Sequence, residues 1–328
     1  MYVTPAKAVA RRLQAAGGSL AVTLPKQWVK VLNLKKGDTV LFEVRPDSLV
    51  LRTPGRQEPV SMITLRYPAG MLELLLNDLT GAYLRGYDLI EITGAVDIEP
   101  ADRAVIRNAA KRLLGLEVIE EDARRIQMQV LADHISLNPQ QVFRRMHIIS
   151  KGMLTDAIVS LAQGNRELAR LVVDRDEELD RFYFFMVRLL RRAASDPLLT
   201  SEYQMTPVEL LDMRVAAHAL ENLGDAAVEI CQGVEAGLTA STTEMRATLE
   251  QASILLQETQ ERAVRAFVRR EGREAIEVFK NYGRLVSLIQ PLVEGSPLPR
   301  GLVTAHRALT TAGRLLADIA DLAAPLHE

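Results

Sequence analysis

The residues with the plainest chemical meaning are cations near the start of the chain. Ten lysines and arginines lie within residues 1–56 against three acids, Asp38, Glu43 and Asp47, a local balance of +7. The whole chain of 328 residues carries a formal charge of −2, so the remainder stands at −9. A basic head on an acidic body suggests a polyanion-binding module joined to something else. Sulfur and imidazole chemistry is sparse. Cys231 is the sole cysteine, which excludes an intrachain disulfide and a four-thiolate zinc site. His147 and His218 sit beside apolar helical stripes and read as core-edge histidines, and His306 takes no visible role. No nucleophile–base pairing accompanies the acids, which argues against an enzyme and against a metallohydrolase in particular.

Behind these residues stands an ordinary water-soluble composition, 48% hydrophobic and 25% charged. No apolar run reaches the roughly 18 residues of a membrane span, and residues 1–12 lack the apolar core of a secretory signal. The expectation is a cytoplasmic protein without membrane insertion. At about 150 residues per domain the length suits two or three domains. We read three: residues 1–55, 56–138 and 139–328.

In the head, residues 9–14 and 20–24 read as strands about a Gly17-Gly18 turn, where φ can be positive. Pro25 suits the first turn of a helix reaching about residue 32, because its missing N–H has no partner there anyway. Strands at 39–45 and 48–52 follow, separated by Pro46-Asp47. So small a unit buries little surface and leaves raw strand edges, so dimerisation is expected. The run RRLQAAGGSLAVTLPKQWVKVLNLKKGDTVLFEVRPDSLVLR resembles the AbrB/SpoVT swapped-hairpin family: basic strand, glycine turn, strand ending in LPK, short helix, then L-x-x-G-D before two strands. The resemblance implies an interleaved dimeric β-barrel that binds DNA with basic residues of both chains. Arg11, Arg12, Lys26 and Lys30 are the candidate DNA contacts, with Lys35 and Lys36 behind them. Such long cations meet phosphates, and arginine also reads guanine edges. Trp28 is expected in the core that caps the barrel.

The middle segment reads as βαβαββ: strands at 60–67 and 89–93, helices opening at Pro68 and Pro100, then strands at 117–119 and 126–132. That order argues for helices packed on one small sheet. It carries no glycine-rich phosphate loop and no paired histidines, and both a dimerisation surface and a small-ligand sensor remain open for it.

From Asn138-Pro139 the period turns helical. Val142, Met146, Ile149, Met153, Ala157 and Leu161 recur at spacings of four and three, a buried stripe. Breaks at Gly164-Asn165, 195–197, 233–238, Gly272 and 295–297 divide the remainder into six helices, two consecutive three-helix bundles. The fold class is thus multidomain α+β: swapped-hairpin barrel, βαβαββ middle domain and an all-α pair of bundles. The stretches RRMHIISKGMLTDAIVSLAQGNRELARLVVDRDEELDRFYFFMVRLL and HALENLGDAAVEI resemble the PhoU family, regulators of phosphate uptake. PhoU-like bundles hold metal clusters on acidic pairs of the form E/D-x-x-x-D. The matching positions are Asp176 with Asp180 and Glu221 with Asp225. Carboxylates at i and i+4 share a helix face, so two neighbouring helices can offer four oxygen donors to a divalent or trivalent cation such as magnesium, manganese or iron. Arg175 and Arg181 are nearby cations able to offset the acids without metal, and Asp174 and Glu178 are further acids alongside. The second bundle departs from the pattern, with Lys280 and Arg284 in its middle helix and Arg314 before Asp318 and Asp321 in its last, so at most one metal site per chain is expected.

Taken together, the two resemblances imply a transcriptional regulator of phosphate uptake: a homodimer holding DNA through its head, with a metal-binding sensor body. The alternative is a signalling adaptor that docks on a phosphate transporter or phosphate-sensing kinase, with the head mainly dimerising.

Overall fold

The structure, a computed structural model of the chain, describes residues 10–31, 33–44, 49–52, 60–68, 70–131, 137–240, 242–294 and 300–323. The chain divides into two compact units, Met1–Pro59 and Val60–Glu328.

The first unit holds two antiparallel hairpins and a short helix. β1 (Gln14–Ala16) pairs with β2 (Ser19–Ala21) about Gly17, whose φ is +63°. α1 (Lys26–Val31) follows Pro25, and β3 (Leu41–Val44) pairs with β4 (Leu49–Arg52), Leu41 opposite Arg52. The first hairpin is shorter than the apolar alternation predicts. Residues 10–13 and 22–24 have no strand partner among the described residues, and the early part of the expected 9–14 strand lies outside them. Trp28 is not core within one chain: it is 51% exposed. Two hairpins and a six-residue helix cannot surround an indole. Leu13, Leu20, Val22, Leu41, Phe42 and Leu49 are exposed with it.

The second unit opens with the expected βαβαββ order: β5 (Met62–Tyr67), α2 (Leu72–Leu84), β6 (Leu89–Gly94), α3 (Pro100–Lys111), β7 (Leu116–Glu121) and β8 (Arg125–Val130). The sheet runs β5-β6-β8-β7, parallel between β5 and β6 and antiparallel elsewhere. Strand alternation turns Ile90, Ile92, Ile126 and Met128 inward, where they share a core with Leu75, Leu79 and Ile106 of the helices.

The helices then run α4 (Pro139–Gln163), α5 (Arg166–Ser195), α6 (Pro197–Glu202), α7 (Pro207–Glu235), α8 (Thr243–Arg269), α9 (Gly272–Ile289) and α10 (Arg300–Asp321). Local chemistry sets their ends. Asn138 with Gln141 and Thr206 with Glu209 form capping boxes at the starts of α4 and α7, and Gly164 closes α4 at φ +68°. Three features differ from the sequence reading. The helix expected to open at Pro68 starts at Leu72, with Met71 as its N-cap. Residues 197–202 make a short helix of their own, with Pro197 pre-set for a first turn. α9 stops at Ile289, short of the 295–297 break, because Pro291 lacks the N–H that would continue it and a 3-10 turn, Gln290–Val293, takes over. Helices α4, α5 and α7 pack together, as do α8, α9 and α10, and the sets meet through α4 with α8 and α7 with α10. Among the described residues no helix is long and apolar enough to cross a membrane.

The sheet is fastened to α5 by one buried guanidinium. Arg188, 2% exposed, donates through Nη1 to the carbonyl oxygens of Tyr83 and Tyr87, both at 2.8 Å, and through Nη2 to Asp88 Oδ1 at 3.0 Å. Arg192 donates to the same oxygen at 2.9 Å, while Asp88 Oδ2 accepts from the Ser61 amide and hydroxyl at the start of β5. Every strong group at this joint therefore has a partner.

Candidate functional site

In the first unit the six candidate cations are all solvent-exposed. Lys26 and Lys30 stand four apart on α1, and Arg11 and Arg12 lead into β1. Lys35 and Lys36 occupy the turn before β3, where the Lys35 amide donates to Asp38 Oδ2 at 2.7 Å. Among the described residues none of the six is in an ion pair, so their charges face water. Cations and exposed apolar side chains thus share one small unit.

In the second unit the two acidic pairs lie on neighbouring helices, Asp176 and Asp180 on α5 and Glu221 and Asp225 on α7. Gly224 allows the approach. A Cβ there would stand 2.5 Å from Leu179 Cδ2 and 3.3 Å from Asp176 Oδ1. The four carboxylates feel burial and one another. Partial burial, then Asp180, Asp225 and Glu177, push Asp176 up to about 6. Partial burial and the three other acids push Glu221 up to about 7 against the opposing pull of Arg214. Asp180 is raised by burial and by Asp225, with Arg112 opposing; Asp225, at the exposed rim, is raised by burial, with His218 opposing.

The surroundings depart from the sequence reading. Arg175 pairs with Asp156 at 3.2 Å instead of serving the cluster, and Glu178 pairs with Arg145 at 2.9 Å. Asp174 and Arg181 are exposed. The nearest counter-cation is Arg112, just after α3, 3.8 Å from Asp180. His218 is not a core-edge residue. Its side chain is exposed, with Nδ1 3.2 Å from Glu221 Oε2 and 3.2 Å from the Tyr183 hydroxyl, and its ring is stacked on Tyr183. The His218-x-x-Glu221-x-x-x-Asp225 spacing on one helix could have revealed that neighbourhood, whereas Arg112, far away in sequence, gave no signal. His147 is buried and its pKa lowered by that burial, in keeping with its reading as a core-edge residue. In the second bundle Lys280 pairs with Glu277, and Arg314, Asp318 and Asp321 lie on an exposed face.

The chemistry of the donor set suits a hard cation, which would relieve four mutually repelling carboxylates. The side chains as placed do not close on one: among the described residues no group of three or more His, Cys, Asp or Glu converges to hold a metal ion.

Comparison with known proteins gives two family matches. Residues 143–234 match the family model described as PhoU domain, and residues 14–60 match that described as Antidote-toxin recognition MazE, bacterial antitoxin. The acidic pairs fall inside the first segment and Lys26, Lys30, Lys35 and Lys36 inside the second, while Arg11 and Arg12 precede it. No curated protein matches the chain. Among solved structures it is similar to PhoU from Pseudomonas aeruginosa, with 18% identity over 56% of this chain and 93% of that one and a TM-score of 0.45. It is also similar to the phosphate transport system regulatory protein PhoU from Streptococcus pneumoniae, with 18% identity over 57% and 88% and a TM-score of 0.39.

Proposed function

We propose that this chain, which joins a MazE/AbrB-type segment to a PhoU domain, is a cytoplasmic transcriptional regulator of phosphate uptake and not an enzyme. Two heads interleave as a swapped-hairpin barrel and grip duplex DNA through Arg11, Arg12, Lys26, Lys30, Lys35 and Lys36. One observation carries the reading: the first unit leaves seven apolar side chains, Trp28 among them, exposed beside six cations free of ion pairs among the described residues. A second copy would cover the former and double the latter.

The helical body is the sensing part in this reading. Asp176, Asp180, Glu221 and Asp225 are the proposed holders of a magnesium, manganese or iron ion, which would supply positive charge where four carboxylates repel. The chain itself supplies the rest of the device. Arg112 ties the sheet's side to Asp180, Arg188 and Arg192 tie it to Asp88, and Ser61, just before β5, donates to Asp88 as well. The test is a DNA titration of the full chain against one lacking residues 1–59. Binding is expected only with the head present, and equal retention by both proteins would defeat the assignment. Elemental analysis of protein purified without chelator, beside Asp180→Ala and Asp225→Ala variants, tests the cation. A metal-free parent chain ends that part of the proposal.

A second reading has its own observation. Val208, Leu211 and Val215 form an exposed apolar stripe on α7, the kind of face a partner helix covers. It favours an adaptor docking on a phosphate transporter or sensor kinase. Replacing Arg11, Arg12, Lys26 and Lys30 with Ala separates the two: regulation by phosphate that survives unchanged selects the adaptor.

A further inference from the structure

A cavity of about 760 Å³ lies apart from the acidic pairs, between the start of α4, the start of α7 and the last turns of α8. It therefore sits where the two three-helix sets meet. Its size falls within the range of about 300–1,000 Å³ common to small-molecule sites. Phe143, Met213, Val264 and Phe267 line it as an apolar floor, with the two phenyl rings tilted at 55° and 5.3 Å apart.

The rim is basic. Arg144 is exposed and makes no ion pair among the described residues. Arg265 and Arg269 hold only long, partly exposed pairs at 3.7 Å, to Glu274 and Glu271. Such surface pairs exchange readily for a better partner. The acids of the cavity are already taken, Glu209 by Arg270 at 3.1 Å and Glu261 by Lys151 at 2.5 Å. Three guanidinium forks thus face an opening whose negative groups are neutralised.

We infer that this cavity binds a nucleoside phosphate. Guanidinium forks match phosphate oxygens bidentately. The phenyl-containing floor suits a base, and the Gln204 side-chain amide together with the amide oxygen of Gln140, whose nitrogen donates to the Tyr203 carbonyl at 2.9 Å, suits hydroxyls and ring nitrogens. Inorganic phosphate would leave the exposed Val268 and half-buried Val264 uncovered. A fatty acid would leave most of the polar rim without a partner. The site is independent of the acidic cluster and of the DNA-binding reading. An occupant would touch α4, α7 and α8 at once, and so bear on the angle between the two bundles.

The experiment is a fluorescence titration of the full chain with mant-ATP, displaced in separate arms by ATP, inorganic phosphate and palmitate. The expected result is saturable binding that ATP displaces and that phosphate and palmitate displace at least about tenfold less well. An Arg144→Ala/Arg269→Ala double variant with an unchanged thermal melt is expected to bind about tenfold or more weakly. Val268→Trp, on an exposed wall of the cavity, is expected to block it. Absence of binding up to about 1 mM overturns the site. So does affinity unchanged in the double variant, and so does displacement by phosphate or palmitate matching that by ATP.

Discussion

Glu221 and Asp176 hold their protons far more tightly than surface carboxylates, and that has a sign. A carboxyl whose pKa is raised by folding binds more protons folded than unfolded, so stability falls as pH rises through the interval between the two values. For Glu221 the interval runs from the ordinary 4.5 to about 7, and for Asp176 from 3.8 to about 6. Metal-free protein is therefore expected to lose stability between about pH 4 and pH 7.5, opposite to the usual acid-labile trend. Glu221→Gln should raise stability at pH 8 by on the order of 2 kcal/mol and leave it unchanged near pH 4. Denaturant titrations at several pH values check this, and a flat profile in the parent protein would show that the four acids do not interact. The resemblance to the PhoU family made these acids legible in the sequence, and the i,i+4 spacing agrees with it by putting each pair on one helix face. Arg112 and the Tyr183–His218 stack were not legible, because they depend on how a loop and a second helix arrive from elsewhere.

The joint between α5 and the sheet centres on Arg188. Arg188→Met would take one partner from Asp88, which keeps Arg192 and Ser61, and would leave the Tyr87 carbonyl oxygen without its guanidinium donor, a loss of about 1–3 kcal/mol. Arg188→Lys is expected to fare little better, since one ammonium cannot reproduce a planar fork spanning three acceptors. Hydrogen exchange should show α2 and β6 losing protection before the helical core. Gly224 plays the matching part between α5 and α7. Gly224→Ala drives a methyl against Leu179, fully buried and unable to swing clear, and should cost about 1–3 kcal/mol while widening the gap between the acidic pairs. A melting temperature equal to that of the parent would show that the helices yield there. At this scale much was readable: the βαβαββ order from periods of two and 3.6, and helix ends from Asn138 and Gly164. The failures have local causes. Apolar alternation in 20–24 predicted a strand where pairing stops at Ala21, and the helix expected up to the 295–297 break meets Pro291, which ends it. The Arg188 joint was invisible, since an arginine in the stripe Met186–Leu190 carries no mark of being buried.

The charge of the whole molecule, −2, conceals a +7 head and a −9 remainder, and this asymmetry is what a duplex would meet. If only the heads of a dimer engage DNA, twelve cations, six per chain, face the phosphates, of which about 6–8 would be neutralised. Each neutralised phosphate releases condensed counterions, so the logarithm of affinity should fall against that of salt with a slope of about −6. Arg12→Ala removes one cation from each copy and should flatten the slope by about 2. The same change should weaken binding by a similar factor on unrelated sequences if Arg12 meets phosphate, and unequally if it meets guanine. Trp28→Ala tests the other half of the reading. An indole exposed in one chain but buried between two should, when removed, shift sedimentation toward monomer and abolish DNA binding together, with all the cations in place. Dimer and DNA binding both persisting in that variant would mean that the exposed apolar set is not the pairing surface.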